Sequence, residues 1–253
     1  LPTDKGAAMP AETRNLQDTV VVITGATAGI GAATARLLVE AGAKVALGGR
    51  REARLTALVD ELGTDHAVGV VCDVSVPVDN ARLVAAAVDR WGRIDSVVPN
   101  AGIGIYGGIM DTTDERLAEM MDTNFAGTVW TARAAIPEML RTTGGGDIVI
   151  VSSAAGLRGG ADEAVYAGTK FAQVGLAGAM DRELRSQGIR VTAICPAGVE
   201  TEFAIGDGRT AGDPALADYM RAEDVAFAIV TVLAQPRRVR TTLWSLWSMG
   251  QQG

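Results

Sequence analysis

The chain has 253 residues, 48% of them hydrophobic, enough for one sizeable core. A net charge of −7 argues against duplex nucleic acid as a partner, because phosphate binding needs a basic face. Two separated cysteines, Cys72 and Cys195, and one histidine, His66, give neither a disulfide framework nor a metal site, and no run of eighteen apolar residues exists to span a membrane.

These counts fit a protein of the reducing cytoplasm. Leu1 to Gln17 lack the basic head and apolar run of a signal peptide and read as a disordered extension, with a single domain over residues 18–253. Thr19–Thr24 is a β-branched strand, followed by a glycine turn and a helix that Gly42 closes. Lys44–Gly48 reads as a second strand, Arg51–Leu62 as a helix, Ala67–Cys72 as a third strand and Asn80–Trp91 as a helix. Asp95–Pro99 makes the fourth strand, and one long helix runs from Asp114 to Arg141 with Asn124 inside it. After a loop at Gly144–Gly146, Asp147–Ser152 is the fifth strand, Val165–Gln187 a helix, Arg190–Cys195 the sixth strand, Glu223–Ala234 a helix and Arg240–Trp244 the last strand. Continuous apolar strands alternating with helices predict an α/β fold with a doubly wound parallel sheet covered on both faces. Phe203–Asp218, rich in glycine, alanine and aspartate, reads as a mobile flap, the plainer alternative being a surface loop.

The turn Thr24-Gly25-Ala26-Thr27-Ala28-Gly29-Ile30-Gly31 follows a strand and opens a helix, the setting a dinucleotide fingerprint requires. Its glycines admit backbone to the pyrophosphate, and the helix N-terminus offers free N–H groups. Where an NAD enzyme usually places an acid, the second strand ends Gly48-Gly49-Arg50-Arg51. A guanidinium fork suits a 2′-phosphate, so NADP(H) is expected over NAD(H), unless these arginines only decorate a helix start. Asp73, with Val74 beside it, stands to meet the adenine amino group or to cap its own loop.

Tyr166 and Lys170 lie four residues apart, which on a helix puts both on one face with a rise of about 6 Å. An ammonium beside a phenol favours the phenolate and makes it a better acid and base near neutral pH. Proton transfer to or from an oxygen follows.

With Asn100-Ala101-Gly102 after the fourth strand, Asn124, and Ser153 thirteen residues before Tyr166, the chain resembles the short-chain dehydrogenase/reductase family from about Thr19 to Trp244. The resemblance implies a seven-stranded Rossmann sheet, a nicotinamide cofactor and hydride transfer between it and a carbonyl or alcohol carbon. It implies that Tyr166 protonates the carbonyl oxygen and Ser153 polarises it. Lys170 would hold the nicotinamide ribose and lower the Tyr166 pKa, and Asn124 would help place a water that links Lys170 to solvent. Pro196, Gly198, Val199 and Thr201 fall where the family holds the nicotinamide, but the usual Pro-Gly is Pro196-Ala197 here; a positive φ at Ala197 would cost about 1 kcal/mol.

A pocket walled by Ile103, Tyr106, Ala154, Leu157, Gly160, Val165 and Phe203, with no evident cluster of basic residues, suits a neutral or mostly apolar ketone, aldehyde or secondary alcohol. Small residues on the helices of Asn124 and Tyr166 resemble the family's subunit interfaces, so a homodimer or homotetramer is expected, with the apolar tail Leu243–Met249 packed on its own core or a neighbour. Membrane contact by that tail is the lesser alternative. The rivals are another reaction on the same scaffold, such as enoyl reduction or epimerisation, and a non-catalytic NADP-binding sensor.

Overall fold

Val20 and Val22 point to one side of the first strand and Val21 and Ile23 to the other, and all four are buried, so both faces of the sheet must be covered. A computed structural model describes residues 13–251. The first twelve residues of the expected extension lie outside it. Of the remainder, Arg14 pairs with Asp147 at 2.8 Å and Leu16 is buried in the core, so this end of the stretch is part of the packed fold.

The main elements are β1 (Val20–Thr24), α1 (Gly29–Glu40), β2 (Lys44–Gly49), α2 (Glu52–Leu62), β3 (Ala67–Val71), α3 (Pro77–Trp91) and β4 (Ser96–Val98). They continue as α4 (Asp114–Met121), α5 (Gly127–Thr143), β5 (Gly146–Val151), α6 (Ala164–Leu184), β6 (Ile189–Pro196), β7 (Val199–Glu200), β8 (Met220–Arg221), α7 (Ala222–Leu233) and β9 (Leu243–Leu246). Seven strands form one parallel sheet in the order β3-β2-β1-β4-β5-β6-β9, and β7 pairs with β8 apart from it. Leu38 of α1, Leu55 of α2 and Ile229 of α7 pack on the face of Val21 and Ile23. Leu83 of α3, Met139 of α5 and Ala177 of α6 pack on the face of Val20 and Val22. This is the doubly wound Rossmann arrangement.

Several elements differ from the sequence expectation: α3 starts at Pro77 rather than Asn80, and the β7–β8 pair is not among the expected strands. The helix expected over 114–141 is broken by a π turn at Asp122–Ala126. There Gly127 N–H donates to the Asp122 carbonyl five residues back, and the Asn124 carbonyl accepts from Thr128 Oγ1 and from Gln173 Nε2 on α6, both at 2.7 Å. The last strand starts at Leu243 rather than Arg240, because Arg240 turns aside to Asp181 on α6 at 2.5 Å.

Candidate active site

The strand order reverses between β1 and β4, and ligands of such sheets bind beyond the carboxyl ends at this point. Thr24 and Asn100 tie the two ends together: Asn100 and Ala101 donate their backbone N–H groups to Thr24 Oγ1 at 3.1 Å, and Asn100 Nδ2 donates to the Thr24 carbonyl at 2.9 Å. Gly25 must be glycine, since its φ is +66° and a Cβ would lie 2.8 Å from the Ala101 Cα. Beyond these ends opens a cavity of about 1040 Å³.

Gly25, Thr27, Ala28, Gly29, Ile30, Asn100, Ala101 and Gly102 line this cavity, as do Arg50, Arg51, Asp73, Val74, Pro196, Gly198, Val199 and Thr201. Gly31 is not part of the wall; it serves close packing, because a Cβ there would stand 2.4 Å from the Gly25 carbonyl oxygen. Arg51 donates to Thr27 Oγ1 from Nε at 3.1 Å and Nη2 at 2.8 Å, and from Nη1 to Glu202 at 2.8 Å. Arg54 meets the same carboxylate at 2.7 Å, whereas Arg50 stands 3.7 Å from Glu119. Asp73 Oδ1 accepts from the backbone and hydroxyl of Ser75 at 3.0 and 2.7 Å, the loop-capping role. Ala197 carries no positive φ and donates to the Leu246 carbonyl at 2.9 Å, so the alanine brings no backbone strain.

At the other end Tyr166 and Lys170 stand on α6, 6% and 4% exposed. The Lys170 ammonium is 5.7 Å from the Tyr166 ring centre and donates to the Val151 carbonyl at 3.2 Å. Both adjacent serines touch the cavity wall, but buried Ser152 turns its hydroxyl to the Lys170 carbonyl at 3.0 Å, while half-buried Ser153 accepts from the Ala155 N–H at 3.1 Å. Burial depresses the Lys170 pKa to about 8. Burial also drives the Tyr166 phenol above its ordinary value, helped by Tyr106, while Ser153 and the Arg209 charge pull it down. In this geometry desolvation outweighs the lowering expected from Lys170. Asn124 is fully buried and off the cavity wall: its Oδ1 accepts from Ile103 N at 2.8 Å, and its Nδ2 donates to Ile103 O at 2.9 Å and Thr169 Oγ1 at 3.1 Å. It fastens the loop after β4 to the Tyr166 helix.

Ile103, Tyr106, Ala154, Gly160 and Phe203 line the substrate end. Leu157 does not; it lies outside the wall and is 39% exposed. Val165 lines a separate small cleft. Sequence reading missed Arg158, Arg209, Tyr219, Trp247 and Gln251, all of which line the cavity. The wall is therefore not free of basic groups. Their sequence neighbours carry no motif: Arg158 comes from the loop after Ser153, Arg209 from the flap, Tyr219 from just beyond it, and Trp247 and Gln251 from the tail.

Taken together, a glycine-lined cradle at a helix N-terminus, guanidinium groups past β2 and a Ser-Tyr-Lys cluster fit a nicotinamide dinucleotide and define a Rossmann-type oxidoreductase. The family model "short chain dehydrogenase" matches residues 19–210. The chain belongs to the short-chain dehydrogenase/reductase family. It is 33% identical over 224 residues, 88% of this chain and 94% of the relative, to an uncharacterized oxidoreductase of Staphylococcus aureus strain USA300. A counterpart in Staphylococcus epidermidis, with the same coverage, is 34% identical. Among solved structures, an alcohol dehydrogenase from the archaeon Thermococcus sibiricus, complexed with 5-hydroxy-NADP, matches with a TM-score of 0.85 and 29% identity over 94% of this chain and 99% of that one. The closed form of a serine dehydrogenase complexed with NADP+ matches with a TM-score of 0.85 and 31% identity over 93% and 97%.

Proposed function

We propose that the protein is an NADP(H)-dependent oxidoreductase that interconverts a ketone or aldehyde with its alcohol, with Tyr166 as the acid and base. The observation that carries this reading is a buried phenol on the wall of the dinucleotide cavity, with Ser153 beside it and an ammonium 5.7 Å from its ring. Hydride transfer is the chemistry that the nicotinamide supplies when bound.

This chain's residues do the rest. A phenol held protonated by burial is suited to give its proton to the oxygen of a carbonyl under reduction. The Ser153 hydroxyl is a donor to the same oxygen. Lys170 lies where it can restore the Tyr166 proton and hold a ribose hydroxyl, and Asn124 keeps the wall in register with α6. Arg51 and Arg54, already drawn to a carboxylate, suit a 2′-phosphate and support NADP(H) over NAD(H). The half-exposed side chains Met121, Phe125 and Phe171 around the π turn and α6 support a homodimer or homotetramer. A single catalytic domain in the cytoplasm completes the reading.

Tyr166→Phe is expected to abolish NADPH-coupled turnover across a panel of ketones, aldehydes and β-ketoesters while leaving NADPH affinity nearly unchanged. Full turnover in this variant would overturn the assignment, and lost cofactor binding would contradict the assigned role.

A further inference from the structure

Resting on the oxidoreductase reading of this site, we infer that Arg209 receives a carboxylate of the substrate, so that the natural substrates are short hydroxy or oxo acids rather than neutral compounds. The segment after β7 doubles back on itself: Arg209 N donates to the Ala204 carbonyl at 3.0 Å, Gly206 N to the Arg209 carbonyl at 2.9 Å, and Ala204 takes a left-handed φ of 60°. The turn is held to the body of the protein. Asp207 pairs with Arg116 of α4 at 2.7 Å, and its carbonyl accepts from Tyr106 N at 3.1 Å. Arg209 is therefore planted by a built turn rather than waving from a loop.

Its guanidinium stands 5.8 Å from the Phe203 ring centre and 5.3 Å from that of Tyr219, both on the cavity wall. Of its five N–H donors one is committed, to the Val199 carbonyl at 3.0 Å. Among the described residues every arginine at the cofactor end has a carboxylate within 4.0 Å, Arg50 with Glu119 and Arg51 with Glu202, but Arg209 has none. A half-buried cation flanked by rings and left without a counter-ion is costly unless a ligand supplies the charge. A fork of free donors is also the geometry that a carboxylate fits.

The other charged groups at this end are otherwise placed. Glu163 accepts from Gly160 N at 2.7 Å, Asp207 is held by Arg116, and Asp162 sits at a left-handed turn of φ 60°. Arg158 is exposed, with its cation 4.7 Å from the Trp247 ring centre at the outer wall. Phe203 neighbours both Arg209 and the reacting phenol, its ring centre 5.8 Å from that of Tyr166 and 5.8 Å from the Arg209 guanidinium. With Phe203 adjoining both groups and the Arg209 charge acting on the Tyr166 phenol, a carboxylate held at Arg209 and a carbonyl or hydroxyl at Tyr166 suit the two ends of one short acid.

The probes are linear hydroxy acids of two to six carbons, each paired with its methyl ester, titrated calorimetrically into the full chain in the presence of NADP+, and assayed for turnover in parallel. For at least one pair the wild type is expected to bind the acid more tightly than the ester by roughly 10- to 100-fold. Arg209→Met should erase that preference and Arg209→Lys restore part of it, with far-ultraviolet circular dichroism showing that both are folded. No preference in any pair, or a preference that survives Arg209→Met, overturns the inference. So does a preference erased by Arg158→Met alone, which would move the anion to the outer wall. Because capture is read by heat, Arg209-dependent binding without turnover would count against the redox reading and leave carboxylate capture at Arg209 standing.

Discussion

Glu202 draws Arg51 and Arg54 together at 2.8 and 2.7 Å across the cofactor end of the cavity, standing where a second anion would find both guanidinium groups engaged. The three side chains are about half exposed, so the pairs themselves contribute little to stability. Their consequence is competition: a 2′-phosphate must displace the carboxylate. Glu202→Gln is therefore expected to tighten NADPH binding by up to about fivefold, the scale of an exposed ion pair, and to leave NADH nearly unchanged. Fluorescence titration of both cofactors checks this, and equal changes would mean that the pair does not face the 2′-phosphate. Arg50 and Arg51 were legible because they directly follow β2. Arg54 was not, although it lies one helical turn beyond Arg51 on the same face, a spacing that a search for a second phosphate ligand would have found.

At the scale of elements, the strands could be read because most carry a dominantly apolar run, and the parallel sheet buries both faces of its central strands. The π turn could not. Residues 114–141 keep a helical pattern throughout, and the break depends on the Gln173 amide, which reaches the Asn124 carbonyl from α6. The flap was legible as a loop from its composition, but not its anchorage, an ion pair from Arg116 to Asp207 across a sequence separation of 91. Arg116 is 41% exposed, so its loss should lower stability by less than about 1 kcal/mol. Its effect should instead fall on the segment it holds. Arg116→Ala is expected to raise the substrate KM severalfold with kcat little changed, and to hasten proteolytic cleavage between residues 203 and 212. Unchanged KM and cleavage would show that the remaining contacts, such as Tyr106 N to the Asp207 carbonyl, hold the turn alone.

Across the whole molecule, function is drawn from places that no local pattern marks. The tail after β9 brings Trp247 and Gln251 to the cavity, and the flap brings Arg209, so a wall read from strand ends alone looked neutral. Lys170 is buried at the inner end of the same cavity, and the fold bears a cost that can be measured through pH. Burial lowers its pKa to about 8, against about 10.4 in an unfolded chain. Between those values the unfolded chain binds a proton that the folded chain releases, so the lysine's contribution to stability rises with pH through this window, by about 3 kcal/mol at full extent. Below pH 8 both states are protonated and the penalty is constant. Burial acts oppositely on Cys72, whose thiol is pushed up to about 12, and on the Tyr166 phenol. These groups keep their protons in the fold after the unfolded chain has lost them, so stability falls as pH rises past the ordinary thiol and phenol values, and the total curve hides the lysine. The difference between wild type and Lys170→Met isolates it: denaturant unfolding at stepped pH should show the wild type gaining on the variant from pH 8 to 10. A flat or falling difference would mean that the ammonium keeps its charge in the folded site, where it could then depress the Tyr166 pKa in the way the four-residue spacing first suggested.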